Sequence, residues 1–121
     1  MEDFDNEEVW SNDRYLLQER YMELTRVLLP AEARLRTWSL QNDHCFMRVI
    51  LDHLFQDCWY RHLDRRLTAY KQLNVEQLQQ CITLAERILE QGDPLLTNLN
   101  RQSLAWRRKR NDLTSNEEGV K

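Results

Sequence analysis

Apolar residues in the first third of the chain recur at the spacing of an α-helix. One set follows intervals of four, three and four residues, which places its members on a single helix face. Its members are Leu17, Tyr21, Leu24 and Leu28. The pattern predicts a helix from about residue 13 to residue 29, which Pro30 stops or kinks because proline disfavours helical backbone at the preceding residue. A second seam on this helix, made of Tyr15, Met22 and Leu29, predicts a second neighbour, either inside the monomer or in another copy of the chain.

The middle of the chain is its most apolar part. A short segment at residues 31–40 has Leu35 and Trp38 as its apolar anchors, and a long helix is predicted from about residue 43 to residue 63. At about 100° per residue, the apolar side chains of this helix cover more than half of its circumference. The remaining stripe is polar and consists of Arg48, Asp52, His53 and Gln56. We therefore predict that this is the central helix of the fold.

Signals for the start and end of a helix are clearest in the last third of the chain. Asn74 followed by Gln77 predicts a capping box at the start of a third helix, and Gly92 stands where a glycine commonly ends one. Asp93 is predicted to cap a fourth helix, because Pro94 then falls in its first turn, where a missing N–H costs nothing. The apolar arc of the third helix comprises Leu78, Cys81, Ile82, Ala85, Ile88 and Leu89.

These segments predict an all-α fold, a small bundle of about four helices with disordered polar termini. We expect residues 1–10 to form an acidic flexible leader, residues 11–110 a single helical domain and residues 111–121 a disordered polar tail. A chain of 121 residues is long enough to bury its own core, and its short connections predict mostly antiparallel neighbours. The presence of only 2 glycines argues against glycine-rich phosphate-binding loops and hairpin-rich β folds.

The composition also predicts the compartment in which the protein acts. No apolar run approaches the roughly 18 residues that a membrane span needs, and the acidic N-terminus is the opposite of a signal peptide. The 3 cysteines are odd in number and form no C-x-x-C pair. We therefore expect reduced thiols, at Cys45, Cys58 and Cys81, in a cytoplasmic protein. No cofactor and no membrane association are predicted.

The net charge of −3 conceals an uneven distribution of charge. Residues 1–8 hold five acids and no base, whereas residues 101–110 hold five bases and no acid. Several basic side chains beside an aromatic one suit phosphate contact and base stacking. The candidate polyanion- or partner-binding residues are Arg65, Arg66, Arg101, Trp106, Arg107, Arg108, Lys109 and Arg110. The acidic total disfavours nucleic acid, and cations near a helix C-terminus also stabilise that helix by themselves.

The leader is both acidic and aromatic. Phe4 and Trp10 stand among its acids, and segments of this kind can dock on basic grooves with apolar walls. The groove would belong either to a partner or to the basic stretches of this chain, so Phe4 and Trp10 are candidate partner-binding residues. The simpler interpretation is a solubilising leader whose Val9–Trp10 end packs at the start of the first helix.

Two pairs on the predicted second helix have four-residue spacing. Asp57 and Arg61 fall within its apolar arc, so they are a candidate buried ion pair, the alternative being a salt bridge at the helix end. Cys58 and His62 share a face and are weak metal candidates, but a zinc site needs at least one more ligand. A core cysteine and a surface histidine are the simpler interpretation, and no metal site is predicted.

The leading hypothesis is a non-catalytic protein-interaction, regulatory or adaptor protein that acts through its helix surfaces and charged ends. Its 4 Trp and 4 Tyr are large anchors of the kind enriched at interfaces. Another protein is the favoured partner, and a homodimer is a further option. One alternative is a small nucleic-acid-binding regulator that uses the basic C-terminal helix. The other is a small ligand- or metal-binding enzyme around the second long helix.

Overall fold

The computed structural model describes the backbone of residues 6–120 and the side chains of residues 13–109. All regular secondary structure in this part of the chain is helical. The elements are α1 (Asn6–Glu23), a π-helical turn (Leu24–Leu28), α2 (Leu29–Arg36), α3 (Asp43–Phe55), α4 (Val75–Gln91) and α5 (Asp93–Val120), with 3₁₀ turns at Trp59–Arg61 and Tyr70–Gln72. Because α1, the π turn and α2 are continuous, they form one rod. The described chain is thus a bundle of four rods, which confirms the predicted all-α fold. The predicted leader and tail lie outside the described side chains.

The first rod continues through Pro30, at which the sequence predicts a stop or a kink. The N–H of Leu29 donates to the carbonyl of Leu24, five residues back, so the helix widens ahead of the proline. Pro30 then stands in the first turn of α2, a position at which proline is tolerated. The rod ends at Thr37, whose left-handed φ of 59° breaks the helical repeat.

α3 is shorter than predicted, because it ends at Phe55 and not near residue 63. The next residue has a left-handed φ of 54°, and the N–H of Asp57 donates to the carbonyl of Asp52 at 3.1 Å. The side chain of Asp52 then accepts from the N–H of Trp59 at 3.0 Å. A carboxylate that binds backbone N–H groups competes with the helix for them, so the chain turns here. The four-residue pairs predicted beyond this point therefore do not share a helix face.

The start of α4 is built as predicted. Asn74 Oδ1 accepts from the N–H of Gln77 at 2.8 Å, and Gln77 Oε1 accepts from the N–H of Asn74 at 2.9 Å, which completes the capping box. α4 ends at Gly92, whose carbonyl accepts the first helical bond of α5. The carboxylate of Asp93, predicted to cap α5, accepts instead from the N–H and the hydroxyl of Ser39 at 3.0 and 2.8 Å.

The core lies between the first rod, α3, α4 and α5. Its largest fully buried side chains are Tyr21, Phe46, Leu24, Leu29, Ile50, Leu51, Leu73, Leu78, Ile88 and Leu96. Both predicted seams of the first helix contribute to it, but Tyr15 of the second seam is 60% exposed. Trp38 is buried as predicted, whereas Leu35 is 76% exposed and is not the apolar anchor that the sequence predicts.

Contacts between the rods bring several segments to one end of the bundle. Rods that follow one another in the chain run antiparallel, as expected from their short connections, whereas two pairs that are not consecutive, α1 with α4 and α3 with α5, run parallel. The contacts that show this are Arg14 with Leu73 and Arg20 with Glu86 for the first pair, and Arg48 with Asn100 and Asp52 with Arg107 for the second. The start of α1, the end of α3 and the start of α4 therefore meet where residues 56–74 cross from α3 to α4. We call this the loop end of the bundle.

Candidate partner-binding cleft

Asp52 of α3 is the buried centre of a polar network. The sequence places it in a polar stripe, and in the fold its side chain is 0% exposed. Nε and Nη2 of Arg107 donate to its two carboxylate oxygens at 2.8 and 3.2 Å, and the hydroxyl of Ser103 donates to Oδ2 at 2.6 Å. Together with the N–H of Trp59, these donors satisfy both oxygens, as a buried carboxylate requires. The network joins α3, α5 and the segment after α3.

Arg107 is held in its charged form. Burial opposes that charge, but the hydrogen bonds and the charge of Asp52 outweigh the opposition, so the pKa of Arg107 lies above its usual value. The two-pronged geometry is the strong form of an arginine–carboxylate pair. Arg107 is therefore committed to the interior contact and is not a freely moving surface cation.

Arg48 of α3 extends the same network. Its guanidinium donates to the hydroxyl oxygen of Ser103 at 2.8 Å and to Oδ1 of Asn100 at 2.8 Å. Within residues 13–109, no carboxylate lies within ion-pair distance of Arg48. The network thus contains two guanidinium groups and one carboxylate, and it carries a surplus positive charge.

The ring of Tyr60 contacts two arginines. The guanidinium carbon of Arg65 lies 3.8 Å from the ring centroid and that of Arg107 lies 4.8 Å from it, within the range of a cation–π contact. Trp59 meets the same ring edge-on, with centroids 4.8 Å apart and planes at 68°. The stack links the loop arginine to the buried network.

These side chains border a cleft of about 230 Å³ between α3, the Trp59–Arg61 turn and α5. We call it the arginine–tyrosine cleft. The residues that line it are His44, Cys45, Met47, Arg48, Trp59, Tyr60 and Arg107. Most of the lining is aromatic or apolar, and the guanidinium groups of Arg48 and Arg107 lie at its edge. Such a surface can receive an apolar side chain together with a negative charge.

The fold brings together only part of the predicted polyanion- or partner-binding set. Arg65 and Arg107 meet on Tyr60. Arg66 turns away and pairs with Asp64 at 3.0 Å, and this hydrogen bond lowers the pKa of the Asp64 carboxyl.

The remaining members of that set lie along α5. Arg101 donates to Asn98 at 3.2 Å, and Trp106 packs edge-on against His53 with ring centroids 4.8 Å apart. Arg108 and Lys109 are exposed. The side chain of Arg110 lies outside the described residues, as do the predicted acidic-segment residues Phe4 and Trp10.

Asp57 and Arg61 do not form the predicted buried pair. Arg61 Nε lies 3.9 Å from Asp57 Oδ2, and the two side chains are 52% and 29% exposed. Asp57 accepts instead from the N–H of Cys58 at 2.8 Å, and its Oδ2 lies 3.2 Å from Nε2 of His62. The expectation fails because α3 ends before this pair, and the buried ion pair of the fold is Asp52 with Arg107.

Cys58 and His62, the weak metal candidates, also separate once the helix ends. Cys58 is buried, and the ring of His62 stacks on Phe55 with centroids 4.7 Å apart and planes at 2°. Among the residues whose side chains are described, no group of three or more His, Cys, Asp or Glu is placed to hold a metal ion.

Sequence reasoning missed the residues that organise the cleft, although their spacing carries a signal. Arg48 and Asp52 are four residues apart on one helix, and Asn100, Ser103 and Arg107 are three and four apart on another. Two polar stripes of helical period on otherwise apolar helices can face each other and pair. That match would have favoured Asp52, and not Asp57, as the buried acid.

Comparison of the chain with protein-family models, with curated proteins and with solved structures finds no match. The helices of the described part of the chain include none that is long and apolar enough to cross a membrane. Function is therefore inferred from the geometry of the cleft.

Proposed function

We propose that this protein is a non-catalytic binding protein that recognises a segment of another protein in its arginine–tyrosine cleft. The observation that carries the proposal is the Tyr60 ring in cation–π contact with both Arg65 and Arg107, beside Trp59. Trp, Tyr and Arg most often supply the binding energy of an interface. Here the buried contacts of Asp52 hold Arg107 and Trp59 in place, which reduces the entropy that binding would cost.

The size and chemistry of the cleft favour a side chain of a partner protein. Its volume of about 230 Å³ lies below the roughly 300–1,000 Å³ of small-molecule sites. Met47 and Trp59 offer apolar contact, while Arg48 and Arg65 offer charge that no carboxylate in residues 13–109 neutralises. We infer that the partner segment carries an apolar or aromatic residue next to acidic ones.

Two of the three histidines, His53 and His62, are engaged in packing, whereas His44 lines the cleft. Nε2 of His53 lies 2.9 Å from the carbonyl oxygen of Leu99, and its ring packs against Trp106. The ring of His62 is stacked on Phe55. Groups held in this way stabilise the packing of helices and are poorly placed to exchange protons with a substrate in the cleft.

Affinity capture from an extract of the source cells tests the proposal. The full chain is immobilised, and bound proteins are compared with those bound by Arg65→Glu and by Tyr60→Ala. Arg65 is exposed, so its substitution leaves the core intact, and circular dichroism verifies folding of both variants. We expect a stoichiometric partner that both variants lose.

The matched control is Arg34→Glu, which makes the same charge change at an exposed position of α2, away from the cleft. It should retain the partner. Equal capture by the unaltered chain and by both cleft variants would show that the cleft is not the binding surface.

Nucleic-acid binding is the second candidate function. It is favoured by the same Arg65–Tyr60–Arg107 stack, since a base can stack on an aromatic ring while guanidinium groups contact phosphate. Arg108 and Lys109 follow directly on α5 and are exposed. Fluorescence anisotropy with a single-stranded oligonucleotide should then show affinity that falls steeply with salt. Binding that is absent or insensitive to salt removes this candidate.

Cellular setting and self-association belong to the same proposal. The free thiols of Cys45, Cys58 and Cys81 support action in the cytoplasm. Val27 and Leu35 lie two turns apart on the first rod and are 57% and 76% exposed, which supports a homodimer through that rod. Light scattering should show association at high protein concentration, and a strict monomer would contradict it.

A further inference from the structure

The outer face of the first rod carries most of the exposed apolar side chains of the fold. Within residues 13–109, six large apolar side chains are exposed, and four of them belong to this rod: Tyr15, Leu16, Val27 and Leu35. The opposite face of the rod is buried in the core. Because exposed apolar side chains gathered on one surface mark a site of protein contact, the outer face needs an explanation of its own.

The π-helical turn brings apolar side chains from both ends of the rod onto one face. Leu16 precedes the turn at Leu24–Leu28, and Leu35 follows it. In a uniform helix these two side chains would point about 100° apart. Each residue of a π turn advances the helix by a smaller angle, because its hydrogen bonds span five residues and not four. The turn therefore aligns Leu16, Val27 and Leu35 in one stripe.

Two oppositely charged side chains lie at equal distances from the centre of this stripe. Glu19 and Arg34 are both exposed, and within residues 13–109 neither is in ion-pair contact. The midpoint between them in the chain falls at Arg26 and Val27. Arg26 is directed to the side, where its guanidinium carbon lies 5.8 Å from the ring centroid of Tyr70. Val27 is therefore the central side chain of the stripe.

The order of these side chains is complementary to itself when reversed. If a second copy of the rod lies antiparallel across the first, with the two-fold axis at Val27, Glu19 of each copy faces Arg34 of the other. A two-fold axis forms each contact twice. Leu35 of each copy then lies within one turn of Leu16 of the other. A parallel arrangement would place Glu19 against Glu19 and Arg34 against Arg34, and like charges at an interface are unfavourable.

We propose that the outer face of the first rod binds the same face of a second copy of this chain in antiparallel orientation. Val27 lies at the two-fold axis, and an ion pair between Glu19 and Arg34 forms on each side of it. This inference rests on the self-association proposed above, to which it gives a geometry, and it is independent of the cleft.

Charge exchange between copies tests this geometry, with sedimentation equilibrium of the full chain as the measurement. Glu19→Lys and Arg34→Glu should each weaken self-association by about tenfold or more, because two symmetry-related ion pairs become like-charge contacts. An equimolar mixture of the two variants should associate as tightly as the unaltered chain. In the mixed dimer the introduced lysine faces the introduced glutamate, and one original pair remains. The double variant Glu19→Lys/Arg34→Glu should recover the original affinity for the same reason.

The centre of the stripe and two positions away from it supply the remaining variants. Val27→Asp should abolish association, because it places two carboxylates at the axis. Leu67→Asp changes an apolar side chain that is 59% exposed in the loop between α3 and α4, and Glu76→Lys makes the same charge change as Glu19→Lys on α4. Both controls should leave the dissociation constant unchanged. All these positions are exposed, and circular dichroism verifies that each variant is folded.

The possible failures are distinguishable. A strict monomer at high protein concentration would contradict both the proposed self-association and this inference, and would leave the face to a different protein. A dimer in which Glu19→Lys and Arg34→Glu associate like the unaltered chain would refute the antiparallel geometry and leave self-association standing. A mixture that binds more tightly than the unaltered chain would indicate parallel rods. Neither result bears on the cleft, whose partner should still be captured by Arg34→Glu.

Discussion

Asp52 and Arg107, which are 55 positions apart in the chain, form a bidentate ion pair with distances of 2.8 and 3.2 Å. The carboxylate is fully buried and the guanidinium is 20% exposed. Removing one partner of such a pair leaves the other charge without compensation, which costs more than the pair contributes. The pair ties α3 to α5 and at the same time positions Arg107 against Tyr60.

We expect Arg107→Ala to lower the free energy of unfolding by about 3 kcal/mol, as measured by urea denaturation. Arg108→Ala, the exposed neighbour on α5, should change it by less than about 0.5 kcal/mol. The double variant Asp52→Ala/Arg107→Ala should be less destabilised than the sum of the single variants, with a coupling of about 1–3 kcal/mol. Additive losses would show that the two side chains do not interact in solution.

Gly92 lies between α4 and α5. Its backbone angles, φ 80° and ψ −155°, fall in a region that essentially only glycine adopts. An added Cβ would stand 3.6 Å from Cζ2 of Trp38, an ordinary contact, so strain in the backbone is the main cost. Gly92→Ala should therefore lower the free energy of unfolding by about 1–3 kcal/mol. The control is Gln91→Ala, one residue earlier and exposed. Equal stabilities of the two variants would contradict the assigned turn.

The hydroxyl of Tyr21 is buried and has no hydrogen-bond partner among the described protein atoms. Burial, followed by the nearby Cys81, raises the pKa of Tyr21 well above its usual value, so the phenol stays neutral. Because an unpaired buried hydroxyl is unfavourable, Tyr21→Phe should leave stability unchanged or raise it by about 1 kcal/mol. Tyr15→Phe, at a position that is 60% exposed, is the control and should have no effect. A clear loss of stability on Tyr21→Phe alone would reveal a partner for the hydroxyl.

Asp93 makes the stability of the fold depend on pH in the acid range. The N–H of Ser39, and then its hydroxyl, donate to the carboxylate and lower its pKa below the usual 3.8. A carboxyl whose pKa is lowered by folding stabilises the protein above its unfolded pKa, and this stabilisation is lost as the pH falls through the folded pKa. Asp93→Asn should therefore be less stable than the unaltered chain near neutral pH, and the two should converge in acid.

The free energy of unfolding of both chains, measured between about pH 6 and about pH 2.5, checks this expectation. Ser39→Ala removes the hydroxyl donor but keeps the N–H, so its loss at neutral pH should be intermediate. A constant difference between the Asp93→Asn and unaltered chains across the whole range would mean that the carboxylate charge has no part in the contact.

Local sequence predicted the elements whose cause is local. The capping box of Asn74 and Gln77 and the glycine at position 92 act within one or two turns of the chain, so their residue types suffice to mark the limits of α4. The first rod shows where this fails. Pro30 is an ordinary stop signal, but a π-helical turn ahead of it lets the helix continue.

The end of α3 and the cleft could not be predicted in the same way. Apolar periodicity continues past Phe55, but Gln56 turns left-handed and ends the helix. The side chain of Asp52 binds the N–H of Trp59 beyond that end and also Arg107 from another part of the chain. Asp57, which the helix pattern favoured as the buried acid, lies beyond that end and is partly exposed. A helical wheel assumes that the helix continues, so each four-residue pair beyond its true end was misplaced.

The sequence by itself determined an all-α fold, the core faces of its helices and the separation of an acidic head from a basic end, because these follow from residue type and spacing. Tertiary structure decided which charges meet. It placed Asp52 in the interior, bound Arg107 to it and brought both Arg107 and Arg65 onto the ring of Tyr60. The physical reason is that burying a charge is favourable only with a partner at hydrogen-bonding distance. Whether that partner is present depends on how the rods pack, and no single helix contains that information.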